Sequence, residues 1–168
     1  MYVKTERLEL KPISAADVDT LMELLTDDLV KQTYMLPDFS DREASRPLAQ
    51  RIKAMSEDPQ RYVAGIYVGA QLVGMLNETE REGDSIEMGY ALLPRFHNQG
   101  YCTEALIGVM DYLFQAGFSQ VVTGAFAENG ASIRVMVKSG MTLMEKQDVI
   151  AYRGKDRLCV YYCARKSK

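Results

Sequence analysis

The run Pro94-Arg95-Phe96-His97-Asn98-Gln99-Gly100-Tyr101-Cys102-Thr103 joins an alternating apolar segment to one with helical spacing. A strand, a glycine-bearing turn and a helix start together favour an anion, because unpaired backbone N–H groups converge there and the helix dipole adds positive potential. The turn carries neither G-x-x-x-x-G-K-[ST] nor G-x-G-x-x-G, so it is neither a P-loop nor a dinucleotide fingerprint. Spacing alone leaves open an ordinary crossover turn. His97 is the one imidazole in the chain, so any Ser-His-Asp or Cys-His unit would have to use it. Cys102, Cys159 and Cys163 lack C-x-x-C spacing, and with a single His a tetrahedral zinc site is not expected. Covalent catalysis through a cysteine is disfavoured, since two of these thiols fall in the last strand with no His nearby in sequence.

The elements around this turn follow from periodicity. Residues 7–12 alternate and stop at Pro12, which predicts a first strand. Ser14-x-x-Asp17 is close to a capping box for a helix with Val18, Leu21, Met22 and Leu25 on its apolar stripe. Residues 27–39 have no clear period. A second helix covers 41–56, opened either by Ser40-x-x-Glu43 or by Ser45-Arg46-Pro47. Residues 61–68 and 72–80 read as a hairpin, and 85–93 as a third strand. Residues 103–115 read as a helix, 121–127 as a strand, and Asn129 caps a helix that stops at Gly140. Two strands, 142–152 and 157–164, turn near Gly154. The order predicts one α/β domain over residues 1–168, with a mixed, mostly antiparallel, twisted sheet of about seven strands and about four helices.

Composition narrows the function classes. The chain has 168 residues, 47% hydrophobic and 26% charged, with 20 basic and 23 acidic residues for a net charge of −3. The basic cluster Arg165, Lys166 and Lys168 reads as a solvated terminus, so nucleic acid is not an expected partner. No segment approaches the ~18 consecutive apolar residues of a membrane span, and the first residues lack a signal-peptide core. These features predict a cytoplasmic, metal-free domain with reduced thiols.

The stretch from Tyr90 to Leu106, with Pro94, Gly100, Tyr101, Thr103, Glu104, Ala105 and Leu106 in P-x-x-x-x-x-G-Y-A-T-E-A-L spacing, resembles the acetyl-CoA loop of the GCN5-related N-acetyltransferase (GNAT) superfamily. More narrowly, it is similar to the RimJ/RimL-like, ribosomal-protein-alanine acetyltransferase branch. Asn129, Ser132, Lys138 and Gly140 are similar to that branch's N-x-x-S-x-x-x-x-x-K-x-G-F, and Thr5-Glu6-Arg7-Leu8 matches its T-x-R-L opening. Two departures fall in the loop pattern Q/R-x-x-G-x-G/A. His97 stands in place of Arg or Gln, and Cys102 in place of Gly or Ala. A neutral His lacks the permanent charge of an Arg fork, so lower affinity or a pH dependence is expected.

The resemblance implies roles for individual residues. Backbone groups of Leu92 and Leu93 would pair with the pantetheine arm, and amides of His97, Asn98, Gln99, Gly100, Tyr101, Cys102 and Thr103 would cradle the pyrophosphate. Asn129 would hold the pantetheine arm, with a plain N-cap as the alternative. Acetyl-CoA would enter where the parallel strands near Ala91 and Phe126 splay, and no metal is implied. The reaction would be direct attack by an amine on the thioester. An α-amine of pKa ~8 is about one-tenth neutral at pH 7, costing roughly 1.4 kcal/mol, against about 4.6 for lysine. Glu87, on the strand face of Gly89 and Ala91, is the candidate base, and Ser132 the candidate hydrogen-bond donor to the leaving sulfur. A solvated Glu87 and a locally bonded Ser132 remain the alternatives. The acceptor would be a peptide N-terminus or a small-molecule amine, and homodimers are common among similar proteins. A CoA-binding sensor or interaction module of the same fold, with little turnover, is the rival reading.

Overall fold

A computed structural model describes residues 1–166, so Lys168 of the basic tail lies outside the described residues. The strands are β1 (Val3–Lys4), β2 (Glu9–Lys11), β3 (Val63–Val68), β4 (Gln71–Glu82), β5 (Ser85–Leu92), β6 (Gln120–Phe126), β7 (Thr142–Tyr152) and β8 (Lys155–Arg165). The helices are α1 (Val18–Thr26), α2 (Asp28–Thr33), α3 (Arg46–Glu57), α4 (Tyr101–Gln115) and α5 (Gly130–Lys138). The sheet order is β1-β2-β3-β4-β5-β6-β8-β7, and among the described ladders only β5–β6 is parallel. The α/β, mostly antiparallel architecture is the expected one, with one strand and one helix more than expected. The additions are the short elements: the two-residue β1 and the six-residue α2. The chain groups into two compact units, Met1–Asn77 with Tyr90–Ala105, and Glu78–Gly89 with Leu106–Lys168.

In the first unit, α1 buries Val18, Leu21, Met22, Leu24 and Leu25, each large side chain contributing about 1.5–3 kcal/mol by leaving water. Ser14 does not cap this helix. Its hydroxyl bonds Asp17 Oδ2 at 2.5 Å, and residues 15–17 form a single 3₁₀ turn instead. α2 starts because Asp27 Oδ1 accepts from the amides of Leu29 and Val30, at 2.9 and 3.0 Å. α3 takes the Ser45-Arg46-Pro47 start, with Pro in its first turn. Its fully buried positions are the small Ala49 and Ser56, and Ser56 Oγ accepts from Ile13 N–H at 2.9 Å. β3 and β4 turn at Gly69, whose φ is +58°.

In the second unit the parallel register is Ser85↔Gln120, Ile86↔Val121 and Glu87↔Val122. β6 then pairs with β8 along its whole length, from Gln120↔Arg165 to Phe126↔Cys159. β7 and β8 form a long hairpin closed by Arg153 and Gly154, both at positive φ (+51° and +70°), as a two-residue hairpin turn demands. Period-two alternation puts Val122, Gly124 and Phe126 on the same sheet face as Cys159, Tyr161 and Cys163.

Candidate functional site

The first unit holds the turn that follows β5. A 3₁₀ turn, Pro94–Phe96, leads into Asn98 at φ +60° and Gly100 at φ +81°, while Gln99 between them is not at positive φ. Alternating backbone handedness turns successive N–H groups toward one side, as in anion-binding nests. The first helical bond described here runs from Glu104 N–H to Gly100 O at 3.0 Å, so the amides of Tyr101 and Cys102 precede the helical ladder. These groups fit a polyanion.

The loop is braced from the start of the chain. Glu104 Oε1 accepts from Thr5 Oγ1 at 2.6 Å and from the Arg7 amide at 2.8 Å, and its Oε2 accepts from Arg7 Nε at 2.7 Å. Arg7 Nη1 donates to Gln99 O at 2.9 Å, and the guanidinium lies over the Tyr101 ring at 4.8 Å. Burial raises the Glu104 carboxyl, but the Thr5 hydroxyl and the Arg7 amide and guanidinium together outweigh it and hold it below its ordinary value. The T-x-R-L opening is therefore part of the loop's support, a role its position in sequence does not suggest.

Two expected ligand groups are engaged inside the protein. His97 Nε2–H donates to Leu92 O at 3.0 Å, and Leu93 N–H donates to Val73 O at 2.9 Å. Leu93 thus departs from the expectation, because its amide completes the strand end. Gly74 permits that approach, since a Cβ there would lie 2.3 Å from Ala91 O. Burial pushes the Cys102 thiol up to about 12, which disfavours its thiolate at neutral pH.

The second unit holds the remaining candidates. Thr79 Oγ1 donates to Glu87 Oε1 at 3.0 Å. Burial raises the Glu87 carboxyl above its ordinary value, against the opposing pull of Thr79 and Lys146. Facing it from β8 and β7 are residues that periodicity did not single out. Tyr161 is buried and its phenol is raised, first by burial and then by hydrogen bonds with Asp148 and Cys159. Lys146 Nζ lies 4.3 Å from the centre of the Tyr161 ring. The ring occupies the space a side chain at Gly124 would need, 2.8 Å from the Cβ position. Alternating apolar and aromatic residues in residues 157–164 signalled only a strand, and the bulge between Leu143 and Gln147 hid which β7 side chains share this face. Asn129 Oδ1 accepts from Ser132 N–H at 3.1 Å, so Asn129 is an N-cap of α5 and Ser132 sits in the first turn. Among the described residues no group of three or more His, Cys, Asp or Glu could hold a metal, and no helix is long and apolar enough to cross a membrane.

Residues 7–142 match the family described as acetyltransferase (GNAT) domain. The chain is 25% identical over 143 residues to YoaA of Bacillus subtilis, an uncharacterized N-acetyltransferase, covering 82% of this chain and 81% of that one. Its fold is similar to that of a GNAT-family acetyltransferase from Bacillus anthracis, with TM-score 0.84, 23% identity and 98% of each chain covered. It is likewise similar to the ribosomal-protein α-N-acetyltransferase RimL in complex with coenzyme A, with TM-score 0.85, 20% identity and 98% of each chain covered.

Proposed function

The chain belongs to the acetyltransferase (GNAT) domain family, and from that premise we propose that it moves an acetyl group from acetyl-CoA to a primary amine by direct attack on the thioester. The observation that carries this reading is the braced turn with Asn98 and Gly100 at positive φ, whose amides suit a pyrophosphate. Amides from Asn98 to Thr103 hold that group; the expected His97 amide is excluded, because it donates to Pro94 O at 3.0 Å and closes the 3₁₀ turn. Leu92 offers its carbonyl to the pantetheine arm once the His97 ring leaves it, and Leu93 is assigned to the strand end instead. Asn129, whose oxygen caps α5, keeps its side-chain NH2 as a donor for the pantetheine arm. Both units serve one domain spanning residues 1–168.

Glu87 takes the proton that the attacking nitrogen must lose, and its raised pKa makes it a stronger base than an exposed carboxylate. The carbon–sulfur bond then breaks and the thiolate needs a proton. Ser132 is one donor. Tyr161 is a second, as a buried hydroxyl that can hydrogen-bond the departing sulfur, although its raised pKa makes it a weaker acid than an exposed phenol. The acceptor is a peptide N-terminus or a small amine. The similarity to RimL, a ribosomal-protein α-N-acetyltransferase, puts N-terminal peptides first among those to try. Three unpaired cysteines support a reducing, cytoplasmic setting. A homodimer, usual among similar proteins, is checked by light scattering.

The test is thiol release from acetyl-CoA across ribosomal N-terminal peptides and small amines. Acceptor-dependent thiol supports the enzyme. Tight CoA binding without it would leave a binding module in place of a transferase.

A further inference from the structure

The loop has little permanent charge of its own. From His97 to Thr103 no side chain carries a fixed positive charge, and the whole chain is at −3. Arg95, just before it, is already paired with Glu23 and lies against the Phe96 ring. A ligand with several phosphate charges still needs a cation near those amides.

We infer that Arg7, 93 residues before Gly100 in the chain, is the phosphate-binding cation of this loop; this rests on the acetyl-CoA reading above. Its guanidinium is fixed on three sides, by Glu104 Oε2 at Nε, by Gln99 O at Nη1 and by the Tyr101 ring beneath. Nη2 has no hydrogen-bond partner among the described residues, and it lies 3.3 Å from where a Cβ on Gly100 would stand. The fork is therefore immobilised with one amino group left over at the point where backbone amides converge. The Arg7 side chain is 46% exposed, so an anion reaches it without opening the fold. Because most of its rotamer freedom is already lost, a phosphate contact adds little further ordering cost.

Glu104 makes the arrangement sharper. A carboxylate in the first turn of α4 suits the helix dipole but repels a phosphate in the same place. Arg7 neutralises that carboxylate and presents Nη2 at once, so its loss weakens phosphate binding twice over. His97, replacing the Arg or Gln of similar loops, is then tolerated because the charge arrives from another part of the chain.

The experiment compares acetyl-CoA with acetyl-pantetheine, which has the same thioester and no phosphate, as donors for the wild-type chain and for Arg7→Gln and Arg7→Lys. The expected result for Arg7→Gln is a KM for acetyl-CoA raised about 10- to 100-fold, a shallower salt dependence of binding, and a KM for acetyl-pantetheine changed less than threefold. Arg7→Lys keeps the charge but not the fork, and should fall between the two. Adding Glu104→Gln to Arg7→Gln should recover part of the acetyl-CoA affinity. Equal losses for both donors in Arg7→Lys would reduce Arg7 to a brace and overturn the inference, as would an unchanged KM for acetyl-CoA in Arg7→Gln. A wild-type chain that binds neither donor would instead overturn the acetyltransferase reading itself.

Discussion

The turn between β5 and α4 and the face built by β6, β8 and β7 prepare for chemistry in opposite ways. The first uses mainly backbone: two residues at positive φ, a helix start and one ion pair that pins them. The second uses side chains delivered by separate strands, with Glu87, Tyr161 and Asp148 placed by register and Lys146 by the bulge between Leu143 and Gln147. Backbone sites depend on conformation, so they break when φ becomes forbidden. Side-chain sites depend on atoms, so they break when one functional group is removed while the fold stays intact.

That contrast predicts a split between binding and turnover. Glu87→Gln removes the proposed base alone and should lower kcat by about 10²- to 10⁴-fold while the acetyl-CoA KM stays within a few-fold. The wild-type acidic limb follows from the sign of the shift: a raised pKa keeps Glu87 protonated to higher pH, so activity falls as pH drops through a value above the ordinary carboxylate range. A limb that persists in Glu87→Gln would assign it to another group. Gly100→Val puts a β-branched residue at φ +81° against Arg7, a strain of about 1–3 kcal/mol at the amides themselves. Calorimetry should show acetyl-CoA affinity lost by about 100-fold or more, and retained affinity would remove the loop from the binding site. Tyr161→Phe keeps the ring over Gly124 and deletes one oxygen, so a kcat lower by about tenfold identifies the donor, whereas an unchanged kcat leaves the role to Ser132. Asn129→Ala should cost about 1 kcal/mol of stability through the lost cap, read as a lower midpoint in urea.

The same contrast explains what the amino-acid sequence disclosed. The turn was legible because its parts are contiguous: Gly100 ends a strand-to-helix connection within ten residues of Leu92. Its support was not, because Arg7 and Glu104 are 97 positions apart and no local period links them. Glu87 could be placed on a face by alternation, yet its neighbours Tyr161 and Asp148 came from strands whose register the sequence does not encode. A bulge between Leu143 and Gln147 shifts that register. α2 was missed for a related reason: six residues give less than two turns of periodicity, and Asp27 as a cap is the only strong mark of its start.

His97 offers a practical consequence. It is the one histidine in the chain, and its ring rests on the carbonyl of Leu92. In a proton–nitrogen spectrum of the imidazole region the protein should therefore give a single set of signals, assigned without mutagenesis. The Nε2 resonance reports whether that carbonyl is covered by the ring or by something else. Titrating pantetheine, CoA or dephospho-CoA against this one nucleus would follow occupancy of the strand end directly, in an unlabelled ligand and an unmodified chain, before any acceptor amine has been found.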